Sequence, residues 1–77
     1  MKKIFWDYLK NEDVHQFIDE CNSTLYWIKK FGDSYTLNYS SDLFNLDMYD
    51  ILDISEEVTY LKLQAEKHYN QNSAYIV

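Results

Sequence analysis

Apolar residues recur along this chain in two competing rhythms. Over Val14, Phe17, Ile18 and Cys21 they fall at i, i+3, i+4 and i+7, the stripe of an amphipathic helix. Asn11 stands ahead of that stripe as an N-cap, with Glu12 and Asp13 as first-turn acids, so the pattern predicts a helix over 11–22. Before it, Ile4, Phe5, Trp6, Tyr8 and Leu9 read as a helical turn or a short strand over 3–10. One continuous helix would place Lys10 and Asp13 inside the apolar stripe, so a break between the two segments is expected.

Residues 24–40 change rhythm. Two β-rich runs flank Phe31-Gly32-Asp33-Ser34, and glycine at the first central position suits a two-residue type II′ hairpin turn. That turn dictates the register. Lys30/Tyr35, Ile28/Leu37 and Tyr26/Tyr39 pair on a core face, while Phe31/Ser34, Lys29/Thr36, Trp27/Asn38 and Leu25/Ser40 pair on the other. The second face carries Leu25, Trp27 and Phe31, which must be covered by the N-terminal segment or be left as an exposed aromatic patch.

Ser41 can cap a helix from Asp42, with Phe44, Met48, Ile51 and Leu52 as its buried stripe at i, i+4, i+7 and i+8. Its opposite arc would carry Asp42, Asp47, Asp50 and Asp53, with Leu43, Leu46 and Tyr49 between or beside them. Asp50 and Asp53 would then sit at the negative end of the helix dipole, disfavoured by about 0.3–1 kcal/mol each. A local penalty of that kind marks residues as candidates for function. Ser55, Glu56 and Glu57 begin a second helix, with the stripe Val58, Leu61, Ala65, His68 and Tyr69, although the alternation Thr59, Leu61, Leu63, Ala65 would also fit a strand. Asn70-Gln71-Asn72 ends it, and the tail Ser73–Val77 has the composition of a third strand beside the hairpin. The expected fold is α+β: a helical N-terminal segment, a β-hairpin plus a short C-terminal strand, and two helices in the second half. At 77 residues it is a single small domain.

Charge sharpens the picture. From Phe31 to Leu61 there is no Lys or Arg, while Asp33, Asp42, Asp47, Asp50, Asp53, Glu56 and Glu57 give −7, more than the −6 of the whole chain. Such a field repels polyanions and speeds encounter with basic partners. Direct binding to nucleic acid is not expected, because no lysine patch is present to neutralise phosphates. Membrane binding is not expected either, since no apolar run is long enough to span and anionic lipid attracts basic helices. One cysteine and no exported leader favour a cytoplasmic location. Gly, Pro, Arg and Ala total three residues, against 31 for Phe, Tyr, Ile, Asn and Lys, which fits an AT-rich gene of a low-GC bacterium or of a phage or mobile element within one.

Candidate chemistry is sparse. Glu12-Asp13-Val14-His15 holds a Glu-x-x-His half-motif, but His68 has Ala65 where a second copy needs Glu, so no metal and no cofactor is expected. Cys21 falls on the apolar stripe and reads as core, and a single glycine forbids a phosphate loop. The chain is therefore not expected to be an enzyme. The expected function is that of a small acidic protein-binding inhibitor, phage or mobile-element encoded, occupying a basic, nucleic-acid-binding surface of a host nuclease, CRISPR-type effector or polymerase. Its expected partner-binding residues are Asp42, Leu43, Leu46, Asp47, Tyr49, Asp50, Asp53, Glu56 and Glu57, on a monomer or small homo-oligomer. Two alternatives share the same physics: an immunity protein or antitoxin against a basic toxin, and a structural subunit whose aromatic faces mediate oligomerisation.

Overall fold

The computed structural model describes residues 5–73, with side chains as far as Gln71. Within them the chain runs as an antiparallel meander: β1 (Asp7–Leu9), β2 (Val14–Asp19), β3 (Thr24–Phe31), β4 (Ser34–Ser40) and β5 (Asp50–Ser55). Spatial order follows chain order, and one helix, α1 (Val58–Ser73), returns across a single face of the sheet. A 3-10 turn at Glu20–Asn22 links β2 to β3.

The β3–β4 hairpin has the register that its turn implies, from Phe31↔Ser34 through Ile28↔Leu37 to Leu25↔Ser40. Gly32 takes φ 66 and Asp33 stays at negative φ, the combination a type II′ turn requires. Tyr26, Ile28 and Leu37 face α1, whose Leu61, Ala65 and Tyr69 close over them. Ile28, Leu37, Leu61 and Ala65 are fully buried, and the three larger side chains each contribute about 1.5–3 kcal/mol relative to exposure. The helix starts where the Ser-Glu-Glu signal places it. Ser55 Oγ accepts from the Glu57 N–H at 3.1 Å, and the Glu57 carbonyl accepts the first helical bond, from Leu61, at 3.2 Å.

The expected N-terminal helix is overturned. Residues 11–22 form a turn, a strand and the 3-10 turn, and β1 is the strand alternative for 3–10. Asp13 is not a first-turn acid: it sits at φ 50, and its carboxylate accepts from the Tyr8 and Tyr35 hydroxyls at 3.0 and 3.2 Å. That closes the β1–β2 turn and ties it to β4. Helical spacing was misleading because β2 is apolar on both sides. Pairing sets Val14, Gln16 and Ile18 on one face and His15 and Phe17 on the other, so strict alternation is hidden. Cys21, expected in the core, is exposed on the 3-10 turn.

The first helix of the second half is overturned as well, leaving one helix there instead of two. Residues 41–49 make successive turns, closed by Asn45 N–H to Asp42 carbonyl at 3.2 Å and Met48 N–H to Asn45 carbonyl at 3.3 Å. Phe44 and Met48, expected to be buried, are 95% and 72% exposed. From Asp50 the chain pairs with β4, and a bulge between Leu37 and Asn38 makes Leu52 the extra residue. In consequence Asp50 and Asp53 share the helix side of β5, opposite Tyr39 and Leu37, while Ile51 and Ile54 share the other. The i, i+3 spacing that imitates a helix is the signature of that bulge. The dipole penalty for Asp50 and Asp53 therefore never arises, and with it goes the argument that their positions are strained for function. The hairpin's neighbours are β2 and β5; residues 74–77 of the expected C-terminal strand lie outside the described residues.

Candidate functional site

A sheet with one helix has one face left over. On β3 the alternation that sends Tyr26 and Ile28 to α1 sends Leu25, Trp27, Lys29 and Phe31 the other way. Pairing adds Val14 and Ile18 from β2, Thr36 and Asn38 from β4, and Ile51 and Ile54 from β5. The 41–49 loop folds back over part of this face. Leu43 N–H donates to Ser23 Oγ at 3.0 Å, and the Tyr49 ring packs 5.2 Å from Trp27 at a 56° tilt.

The rest stays open. Phe31 is 78% exposed, Ile54 60% and Ile51 56%, an unusual concentration for one face of a small acidic domain. Two hollows share Trp27 and Lys29 in their walls. One, of about 520 Å³, runs past Leu9, Val14, Leu25 and Leu46; the other, of about 510 Å³, past Phe31, Thr36, Tyr49, Ile51 and Ile54. Their lining includes the buried Asn38, whose amide donates to the Trp27 carbonyl at 3.3 Å and to Thr36 Oγ1 at 3.1 Å, and the charged Glu12, Lys29 and Lys30. A groove walled by aromatic and branched side chains over a rigid sheet is a ready contact surface.

The residues singled out from the sequence are scattered over this geometry. Leu46 and Tyr49 join the groove, each about half exposed. Leu43 is half-buried, and the Asp42 carboxylate accepts from Phe44 N–H at 2.9 Å, holding the loop. Asp47 is exposed at the loop's far end. Asp50 and Asp53 stand on the helix side of β5, away from the groove, where Asp53 accepts from the Ile54 N–H at 2.8 Å and, by hydrogen bonding, raises the Tyr60 hydroxyl above its ordinary pKa. Glu56 and Glu57 flank the step into α1. There is no common acidic helix arc. The groove residues that went unnamed, Trp27, Phe31, Ile51 and Ile54, were half signalled by the hairpin register, which had already put Trp27 and Phe31 on the second face.

Several polar groups on the helix side are engaged with one another. Tyr26 and His68 Nδ1 lie 2.6 Å apart, which suits a neutral imidazole carrying its proton on Nε2 and accepting from the phenol. Burial acts on both, pushing the Tyr26 hydroxyl far up and His68 below its usual value, with Asp50 opposing the latter in part. Tyr69 donates to Asp19. Glu12 and His15 diverge: Glu12 borders the open groove, while His15 lies on the helix side, its ring 4.6 Å from that of Tyr8. Among the described residues no three His, Cys, Asp or Glu side chains gather as a metal-holding group, and no helix is long and apolar enough to cross a membrane.

No family model, no curated protein and no solved structure matches this chain.

Proposed function

We propose that this chain is a small acidic binding protein that docks another protein through the open sheet face, and that its partner presents an apolar centre with a basic rim. The observation that carries the reading is the uncovered groove centred on Trp27, with Phe31, Leu46, Tyr49, Ile51 and Ile54 exposed around it. Supporting it, the 31–61 segment that supplies much of the groove wall contains seven acids and no base; those acids stand outside the groove, whose own charged lining is Glu12, Lys29 and Lys30. Apolar contact gives affinity, and the charge selects and steers a basic partner. The concrete form of the proposal is an inhibitor, encoded by a phage or mobile element, that lies over the nucleic-acid-binding surface of a host enzyme.

The test is capture from a low-GC bacterial lysate with the wild-type chain and with a Phe31→Ser/Leu46→Ser variant. Both side chains project into the groove and are exposed, so the fold should tolerate the change. The expected result is a basic nucleic-acid enzyme retained by the wild type, lost by the variant, and displaced from its nucleic acid by the chain. A partner that holds both at once, or is retained by the variant, overturns the reading. A wild-type dimer that the same variant dissolves would assign the groove to self-association instead.

A further inference from the structure

We infer that β5 is an acceptor edge for strand addition, and that the strand it takes is an extended segment of a protein partner alternating basic and apolar residues. The inference rests on the proposed function in taking the partner to be a basic protein, and it names a second contact that adjoins the groove through Ile51 and Ile54.

Among the described residues β5 ends the sheet, so backbone groups of a six-residue strand face away from β4; the Ile54 N–H is held by the neighbouring Asp53 carboxylate at 2.8 Å, which an added strand must displace. Natural edges are guarded by shortness, by Pro, by charged side chains and by bulges. The opposite edge, β1, is three residues long and guarded in the first way. β5 has no Pro and no Lys; its guards are the bulge at Leu52 and the carboxylates of Asp50 and Asp53, with Glu56 and Glu57 just beyond. Such an edge repels an acidic strand and admits one that brings bases to those acids.

The bulge supplies the pattern. It puts Asp50 and Asp53 on the helix side and Ile51 and Ile54 on the groove side, so a strand opposing them as β4 does meets, in turn, an isoleucine, an aspartate, an isoleucine and an aspartate. On the helix side the added side chains reach a hollow of about 260 Å³ between Leu52, Asp53 and Gln64, Lys67, His68 and Gln71 of α1. Lys67 and His68 are the bases in its lining, set against the Asp53 carboxylate. A second copy of this chain is a poor occupant, because edge-to-edge pairing would lay Asp50 and Asp53 of each copy side by side, on molecules each carrying −6.

The experiment uses the full chain and short synthetic peptides: alternating Lys and Val, alternating Glu and Val, and the Lys-Val sequence N-methylated on alternate backbone nitrogens. N-methylation keeps charge and side chains but removes donors to the edge. The Lys-Val peptide should bind saturably and slow amide exchange in β5, the Glu-Val peptide should not bind, and N-methylation should weaken binding roughly tenfold, as expected for one or two lost hydrogen bonds. Asp50→Asn with Asp53→Asn should weaken it several-fold, while Glu20→Gln, at the β2–β3 turn away from β5, leaves it unchanged. Absence of Lys-Val binding, or binding indifferent to N-methylation, overturns edge pairing and leaves groove docking standing. Retained peptide binding beside a partner indifferent to the groove variant overturns the groove instead.

Discussion

Gly32 shows how much one torsion angle decides. A Cβ built there meets no atom within 4 Å, so substitution brings strain without collision. With φ at 66 in a two-residue turn, Gly32→Val should cost roughly 1–2 kcal/mol, read as a lower urea midpoint at unchanged slope. An unchanged midpoint would mean that the backbone relaxes freely there. His68 makes the complementary case for a side chain. Burial holds its pKa below the ordinary 6.5, so the unfolded chain takes up the proton first as pH falls, and the folded state loses stability from about pH 6.5 down to the lowered folded value. Above that window the protein has its full stability. His68→Gln, which keeps an acceptor for the Tyr26 hydroxyl, should flatten stability against pH below 6.5. His15 titrates in both proteins and is shifted down by burial and then by Lys62, so the difference between the two curves reports His68 alone. Identical curves would show that the Tyr26–His68 contact does not resist protonation.

At the scale of elements, the hairpin is the structural centre, and its facing pair is the place to test it. Ile28 and Leu37 are opposite one another and fully buried beneath Leu61. Each change to Ala should cost about 2–4 kcal/mol, and the double variant should depart from the sum because both side chains line one void. Strict additivity in denaturant melts would place them in separate pockets. The hairpin and α1 were legible because in each a local signal agrees with the burial pattern: Gly32 for the turn, Ser55 with its acids for the helix start. β2 and β5 were not. In β2 both faces carry apolar side chains, since Val14 and Ile18 line the open face while Phe17 packs under α1, and that erases the period of two. In β5 the bulge at Leu52 restores a spacing of three to residues on one face, which a periodicity reading takes for helix. The local dipole penalty at Asp50 and Asp53 was real evidence. It argued against the helix rather than for a function.

Across the whole molecule, most acids stand apart from the apolar groove, whose charged lining is Glu12, Lys29 and Lys30. Leu46 and Tyr49, which stand out in the sequence as apolar groups among acids, line the groove in the fold. The hairpin register already set Trp27 on that face, but only the sheet brings Ile54 beside it. The acids, expected on one arc, are spread over a loop, an edge and a helix start, so their shared effect is a summed field rather than a contact set. Neutralising Asp47, Asp50 and Asp53 to Asn should therefore slow association with a basic partner, and neutralising Asp33, Glu56 and Glu57 to Asn and Gln should slow it to a similar degree. Raising ionic strength should mimic either variant, since exposed charges are screened beyond about 8–10 Å. With no helix dipole at Asp47, Asp50 and Asp53, the first variant should move stability by no more than about 0.5 kcal/mol, whereas Glu56 and Glu57 stand at the positive end of α1 and their neutralisation should cost about 0.3–1 kcal/mol each. Dissociation separates steering from contact. If Asp50 and Asp53 touch an added strand, only the first variant should also dissociate faster, by several-fold, in stopped-flow measurements at fixed salt. Equal dissociation rates with slowed association would leave these acids a purely long-range role, and association unaltered at low salt would remove even that.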